Sequence, residues 1–327
     1  MIDSSQILAQ SKAAYGQWAP QWRAQAKENS KHEMKSLLDF ENIGVGKAVL
    51  CVANGYSFEE NIETIKKHQH NVDILACDKT MGHLLDHGIT PKYVMVCDAN
   101  VDFERYCEPW KDKLSDIVLL SNVCGNPKWA NENWKDKYFF INKDILESEK
   151  EFSSISGCKN FIPAGTNVSN AMVVMLTQSD NSGRKNFFGY DKILLIGYDY
   201  SWRYGKKYYA FNETGDGKHQ YMRHIYLHTQ SGDHAYTSGN LAFSAQWFET
   251  YVKTFNLPVL QCTSKSVLSL RQAKLDEQMQ YSFKPSDSII LNKAISKIRE
   301  LRHQLISLEN LTIGIQKEHW QSFMYSA

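Results

Sequence analysis

The sequence predicts an α/β protein built on a mostly parallel, doubly wound sheet, with an aromatic lid region and a long C-terminal helix. Two observations carry that reading. Short apolar runs rich in β-branched residues alternate with segments of helical spacing, the pattern of a sheet covered on both faces. Several of those runs also end in Asn-Gly or Asp, where a parallel sheet would present a ligand site.

Residues 1–45 are polar and rich in Ala, Gln and Lys, with Trp18, Trp22 and Leu37-Leu38 as scattered anchors. They read as a helical N-terminal extension. The main domain is expected over 46–285. Ala48–Ala53 is its first strand, and Asn54-Gly55-Tyr56-Ser57 a tight turn into a helix over Phe58–His68. Val72–Cys77 is a second strand ending at Asp78, and Met81–His87 a helix closed by Gly88 with Pro91 after it. Tyr93–Cys97 ends at Asp98, and Ile117–Ser121 and Tyr138–Ile141 are further strand candidates. Gly165–Leu176 reads as a glycine turn and an apolar helix, and Lys192–Ile196 as a strand ending at Gly197-Tyr198-Asp199. Leu241–Phe255 is then a helix and Val259–Cys262 a last strand.

The segment between these elements is unusual. Of 17 Tyr in the chain, eight fall within Tyr198–Tyr236, together with His219, His224, His228 and His234. It is too long for a plain connection and too aromatic for disorder, so it is expected to form an ordered lid over about 200–238. Residues 286–327 form a separate helix. Leu291, Ala294, Ile298, Leu301, Leu305, Leu308, Thr312 and Ile315 recur in steps of three and four, an a/d stripe suited either to a coiled-coil homo-oligomer or to packing on the same chain.

Composition removes several function classes. The 327 residues carry 37 Lys+Arg and 36 Asp+Glu, a formal charge of +1, and no basic block suited to nucleic acid. No apolar run reaches the length of a membrane span, and the N-terminus lacks the layout of a signal peptide. Seven Cys with no C-x-x-C pair, several inside apolar runs, suggest reduced buried thiols in a cytoplasmic protein.

The Asn54–Ser57 turn is the best candidate phosphate cradle, since Gly55 lets backbone approach an anion at a helix start. It matches neither the P-loop nor the G-x-G-x-x-G fingerprint. Asp78, Asp98 and Asp199 stand at strand ends, as ligand contacts or as ordinary turn formers. His224 and His228 have the spacing of a metal pair on a helix, but no carboxylate with a recognised spacing follows, so no metal ligand is assigned. His234, between Asp233 and Tyr236, has the side chain suited to a general base near neutral pH.

Three blocks in order resemble the motility accessory factor / MptE-like family. They are Val52-Ala53-Asn54-Gly55-Tyr56-Ser57; Asp78-Lys79-Thr80 through His87-Gly88-Ile89-Thr90-Pro91 to Val96-Cys97-Asp98; and Gly165-Thr166-Asn167-Val168 through Ile196-Gly197-Tyr198-Asp199. Together they cover about residues 45–270. The chain departs from the family pattern at Tyr56 and Lys92. The same blocks resemble sialyltransferases of the Campylobacter type, with Tyr208-Tyr209-Ala210-Phe211 and Asp233-His234-Ala235-Tyr236 following in order.

The resemblance implies a Rossmann-like nucleotide-binding domain and a transferase. Asn54, Gly55, Ser57, Gly165 and Thr166 would hold the nucleotide. Tyr209, with Tyr200 or Tyr204, would support the leaving phosphate, and His234 would deprotonate the acceptor hydroxyl. The partners implied are a CMP-linked sugar donor and a hydroxyl acceptor, with no cofactor required. Two other readings stand beside it. One is an ATP-dependent hydroxymethyl-dihydropterin diphosphokinase, with Mg²⁺ on Asp78, Asp98 and Asp199. The other is a non-catalytic oligomeric assembly protein working through its C-terminal helix.

Overall fold

The computed structural model describes residues 4–143, 145–163, 166–178, 186–203, 209–212 and 225–280. Gly165, Tyr204, His219, His224 and the whole 286–327 helix reading lie outside the described residues. The described residues belong to one compact unit spanning Met1–Ser282.

The elements run α1 (Ser4–Asn29), β1 (Ala48–Val52), α2 (Tyr56–Glu60), α3 (Ile62–His68), β2 (Asp73–Cys77), α4 (Asp78–Asp86), β3 (Tyr93–Val96), α5 (Phe103–Tyr106), β4 (Val118–Asn122) and α6 (Pro127–Ala130). They continue with β5 (Asp136–Lys143), α7 (Leu146–Ser156), β6 (Phe161–Pro163), α8 (Val168–Gln178), β7 (Lys192–Ile196), β8 (Ile225–His228), β9 (His234–Thr237), α9 (Gly239–Thr254), β10 (Val259–Gln261) and α10 (Leu275–Met279). Eight strands form one parallel sheet in the order β10-β7-β1-β2-β3-β4-β5-β6. The chain winds outward from β1 to β6, then returns to place β7 on the other side of β1. The switch point therefore lies between β1 and β7, where loops leave in opposite directions and open a crevice.

Strand residues alternate between two cores. Leu50, Val52, Ile74, Ala76, Val94 and Val96 face one side with α3 and α4, while Val49, Cys51, Leu75, Cys77 and Met95 face the other with α8 and α9. Burial on both faces explains why the strands read as continuous apolar runs. Helix α8 carries the apolar run Ala171–Leu176 because it is enclosed: it crosses β1, β2 and β3 on its way back from β6. From its other side, Asn170 Nδ2 donates to Ser244 O and Thr177 Oγ1 meets the Tyr251 hydroxyl at 2.7 Å, both on α9. Helix α1 is integral to the unit. It packs on α6 and α7, its Ala26 is fully buried, and Arg23 pairs with Glu151 at 2.6 Å.

None of the seven cysteines forms a disulfide, and six of them are buried. Among the described residues, no helix is long and apolar enough to cross a membrane.

Two glycines with the same left-handed backbone meet different surroundings. Gly88 (φ +73°) ends α4 with open space around a would-be Cβ, whereas at Gly197 (φ +74°) a Cβ would sit 1.8 Å from Ala53 O. Gly88→Ala is expected to cost about 1 kcal/mol, the left-handed strain alone. Gly197→Ala is expected to cost roughly 3 kcal/mol or more, because backbone must also move. Urea unfolding midpoints of the two variants measure this, and equal losses would contradict it.

Candidate functional site

The ends of β1 and β7 are locked together below the crevice. Ala53 N donates to Ile196 O and Gly55 N to Gly197 O, each at 2.9 Å, extending the sheet ladder past the last strand residues. Ser57 Oγ accepts from Gly197 N at 2.9 Å and donates to Asp199 Oδ1 at 2.5 Å. Ser57 N donates to Asp199 Oδ2 at 2.7 Å, so Asp199 caps the start of α2 from another element. A Cβ on Gly55 would lie 2.5 Å from both Asp199 Oδ2 and Gly197 O. The glycine is there so that the two loops can touch.

This arrangement corrects the phosphate-cradle expectation. The amides of Gly55 and Ser57 point at Gly197 and Asp199, and both donors are spent within the protein. Ser57 and Asp199 are fully buried and neither lines the crevice. They position the loop rather than meet a ligand. Burial, the largest influence, pushes the Asp199 carboxyl up to about 7, against the lowering effect of the two Ser57 bonds.

Above this clasp is a cavity of about 450 Å³. Asn54 and Gly55 form part of its wall from the β1 side, and Asp78, Lys79 and Asp98 from β2 and β3. Thr166, Asn167, Val168 and Ser169 open α8 onto it. Asn167 Oδ1 accepts from Asn170 N at 2.9 Å as an N-cap, so the positive end of an 11-residue helix faces the cavity. This wall joins a helix N-terminus to an ammonium group, which the Asn54–Ser57 turn does not.

That ammonium is Lys79, which sequence reasoning passed over. Its Nζ lies 3.5 Å from the Tyr209 hydroxyl and 4.8 Å from that ring's centroid. Among the described lining residues it is the one cation. The available signal was its place between a strand-end Asp and the body of α4. Tyr209 is held over the cavity because the next residue, Ala210, donates its N–H to Asn54 O at 3.0 Å, while Phe211 stacks on His83.

Asp78 lines the cavity yet is nearly fully buried, and Lys79 N donates to its Oδ1 at 2.7 Å. Burial, with a smaller push from the nearby Asp98 carboxylate, raises it to about 6. Asp98 is exposed, and its Oδ1 accepts from Asn100 N at 2.8 Å. Among the described residues no three His, Cys, Asp or Glu side chains are grouped to hold a metal, so the expected trio of Asp78, Asp98 and Asp199 does not assemble.

Tyr200 also lines the cavity, with φ +52°, but its hydroxyl donates to Asn170 Oδ1 in a short bond and is committed to α8. It shapes the wall of the cavity that Tyr209 also lines. His234 stands apart. It is exposed on β9, its ring stacked on Tyr226, and it does not line the cavity. The reason lies in the hairpin turn: Gln230 N donates to Ser266 O and Ser231 N to Ser264 O, tying β8 and β9 toward the β10 loop. Trp202 and Tyr236 exchange two 2.8 Å backbone bonds and fix the base of the hairpin.

A parallel eight-stranded sheet with a cavity at its switch point defines a Rossmann-like α/β protein. The MAf glycosyltransferase from Magnetospirillum magneticum AMB-1 has a similar fold, with a TM-score of 0.61 over 86% of this chain at 14% identity. The match spans 42% of that longer chain. The family model for 6-hydroxymethylpterin diphosphokinase MptE-like proteins matches residues 21–205. The chain belongs to that family. No curated protein matches it. The family takes its name from a diphosphokinase and the structural neighbour from a glycosyltransferase; both are transferases.

The buried clasp makes stability depend on pH. An acid at about 7 when folded and about 3.9 when unfolded binds more protons in the folded state between those values. The Asp199 contribution to stability is therefore full below about pH 4 and declines as pH rises toward 7. In Asp199→Asn this part of the slope should vanish. The wild-type advantage over the variant is expected to shrink between about pH 5 and pH 7.5 in urea unfolding. A difference that does not change with pH would contradict the assignment.

Proposed function

We propose that this protein is a transferase that binds a nucleotide-activated donor in the cavity at the β1–β7 switch point and moves a sugar from a CMP-linked donor to an acceptor hydroxyl. The observation that carries this reading is the charge inventory of the cavity. One ammonium, the Tyr209 phenol and one helix N-terminus line it, against two carboxylates, while the hydroxyls of the other two lining tyrosines, Tyr198 and Tyr200, donate to α8. That set suits the single negative charge of a phosphodiester donor and the developing charge on a departing monophosphate. A triphosphate would meet too little positive charge without a metal ion.

In the transfer step the acceptor oxygen bonds to the anomeric carbon as the bond from that carbon to phosphate oxygen breaks. The bonding pair leaves with CMP, and the hydroxyl proton passes to a base. Lys79 and Tyr209 stabilise the departing phosphate. The base this reading favours is Asp78, which lines the cavity and titrates near 6. The resemblance assigns that role to His234, which would have to travel with its hairpin to reach the acceptor.

The family match and the Asp78–Asp98 pair support a second reading, diphosphoryl transfer from ATP. Two neighbouring carboxylates fit Mg²⁺, which is commonly held by one or two carboxylates together with substrate phosphates. When bound, such an ion would neutralise phosphate charge.

Thermal melting with CMP, UDP, GDP and ATP, each with and without Mg²⁺, separates the two. CMP is expected to raise the Tm without metal. Stabilisation by ATP with Mg²⁺ alone would favour diphosphoryl transfer and overturn the first reading. Lys79→Ala should weaken CMP binding about 10- to 100-fold, the loss of one charge-assisted hydrogen bond, by calorimetry. For the base, Asp78→Asn is expected to slow transfer by roughly 100-fold or more while His234→Ala leaves it nearly unchanged. The opposite ranking would return the role to His234.

A further inference from the structure

A second cavity of about 370 Å³ adjoins the first. Cys97, Asp98 and Asn142 line both, so the two share a wall at the ends of β3 and β5. The far side is aromatic. Trp18 and Trp22, one turn apart on α1, face it with Phe152 of α7. Trp22 is fixed edge-on to Phe152 with ring centroids 6.4 Å apart, and Trp18, 37% exposed, is one of the most exposed large apolar side chains described. The near side is polar, with Asp98, Asn100, Asn122 and Asn142. Asn142 Oδ1 is buried and accepts no hydrogen bond from any described residue. A buried, unsatisfied acceptor costs about 1–3 kcal/mol unless something donates to it.

An aromatic wall facing a row of amide and carboxylate groups recognises a ring with apolar faces and hydroxyl edges. Charge narrows the choice. Asp98 is the one charged residue among the described lining, and no Lys, Arg or His joins it. A carboxylate or phosphate on the ligand would be repelled. The linear order is also informative, because the shared wall carries Asp98 and the first cavity continues to Asp78. A hydroxyl group of a ring held on the tryptophans would enter the first cavity past those two carboxylates.

We propose that this second cavity is the acceptor subsite and that it takes a neutral, hydroxyl-rich ring, a glycoside. The word acceptor rests on reading the first cavity as the donor site, but binding of a neutral glycoside does not. Trp18 and Trp22 stack on the ring, Asn142 Oδ1 accepts from one hydroxyl, and Asp98 accepts from the hydroxyl nearest the donor. Helix α1 supplies two of the three aromatic rings of the subsite.

The test uses the full chain and a panel of methyl glycosides (glucoside, galactoside, N-acetylglucosaminide, and the anionic glucuronide), followed by tryptophan fluorescence and saturation-transfer NMR, with and without CMP. At least one neutral glycoside is expected to bind saturably, at least tenfold more tightly than the glucuronide, and undiminished by CMP. Trp18→Ala, at an exposed position, should weaken it at least tenfold. Asp98→Asn should bring glucuronide affinity to within about threefold of the neutral ring, because the repelling charge is gone. Binding of neutral glycosides without any CMP binding would leave the subsite standing and remove the donor reading. No saturable glycoside binding, equal binding in Trp18→Ala, or displacement of the glycoside by CMP would overturn the proposal.

Discussion

Everything at the candidate site rests on the buried contact among Ser57, Gly197 and Asp199. A parallel sheet leaves its loops free to diverge at the switch point, and divergence alone would leave a floppy gap between β1 and β7. Here one hydroxyl and one carboxylate close the floor of that gap. Ser57 uses its hydroxyl twice, as acceptor from Gly197 and donor to Asp199, and adds its amide to the same carboxylate. The two glycines are consequences of this closeness, since a side chain at either would occupy the space of the opposing loop. With the floor fixed, Asn54 presents its carbonyl to Ala210, and that bond, with Phe211 stacked on His83, holds Tyr209 above the cavity.

The clasp also decides where positive charge can lie. The amides of Gly55 and Ser57 are spent internally, so in the proposed site an anion is met from the opposite wall and the roof. Helix α8, driven across the sheet by its apolar run Ala171–Leu176, arrives with its N-terminus at the cavity. Lys79 leans over from α4 toward Tyr209. The site thus pairs a rigid floor with a charge pattern suited to one phosphate group, and its second compartment extends along the sheet toward the tryptophans of α1.

Much of the fold was legible because strand burial on both faces writes itself as apolar runs, and because Gly88 and the strand-end polar residues mark boundaries. The positions of β1, β2, β3, β4 and β7 follow the sequence reading within about a residue, and the helix over α8 announced its burial by composition. The site was legible in location but not in roles. Asn-Gly after a strand reads equally as a ligand cradle or as close backbone packing, and only the Cβ environment of Gly55 distinguishes them. Asp199 looks like Asp78 in the sequence, yet one caps a helix beneath the floor while the other faces the cavity. Lys79 was invisible because a lone lysine after a strand-end acid is usually solvated. His234 was attractive for its neighbours in the chain, whereas its place is fixed by hydrogen bonds from its hairpin turn to Ser264 and Ser266, 30 or more residues away.

The central claim is that the phosphate of a nucleotide donor sits between Lys79 and the start of α8, with the Asn54–Ser57 turn serving as support. A crystal structure of the full chain grown with CMP tests this most directly. The account predicts phosphate oxygens within hydrogen-bonding distance of Lys79 Nζ and the first turn of α8, with the Ser57–Asp199 bonds intact. Phosphate bound at the amides of Gly55 and Ser57, with that clasp opened, would contradict it.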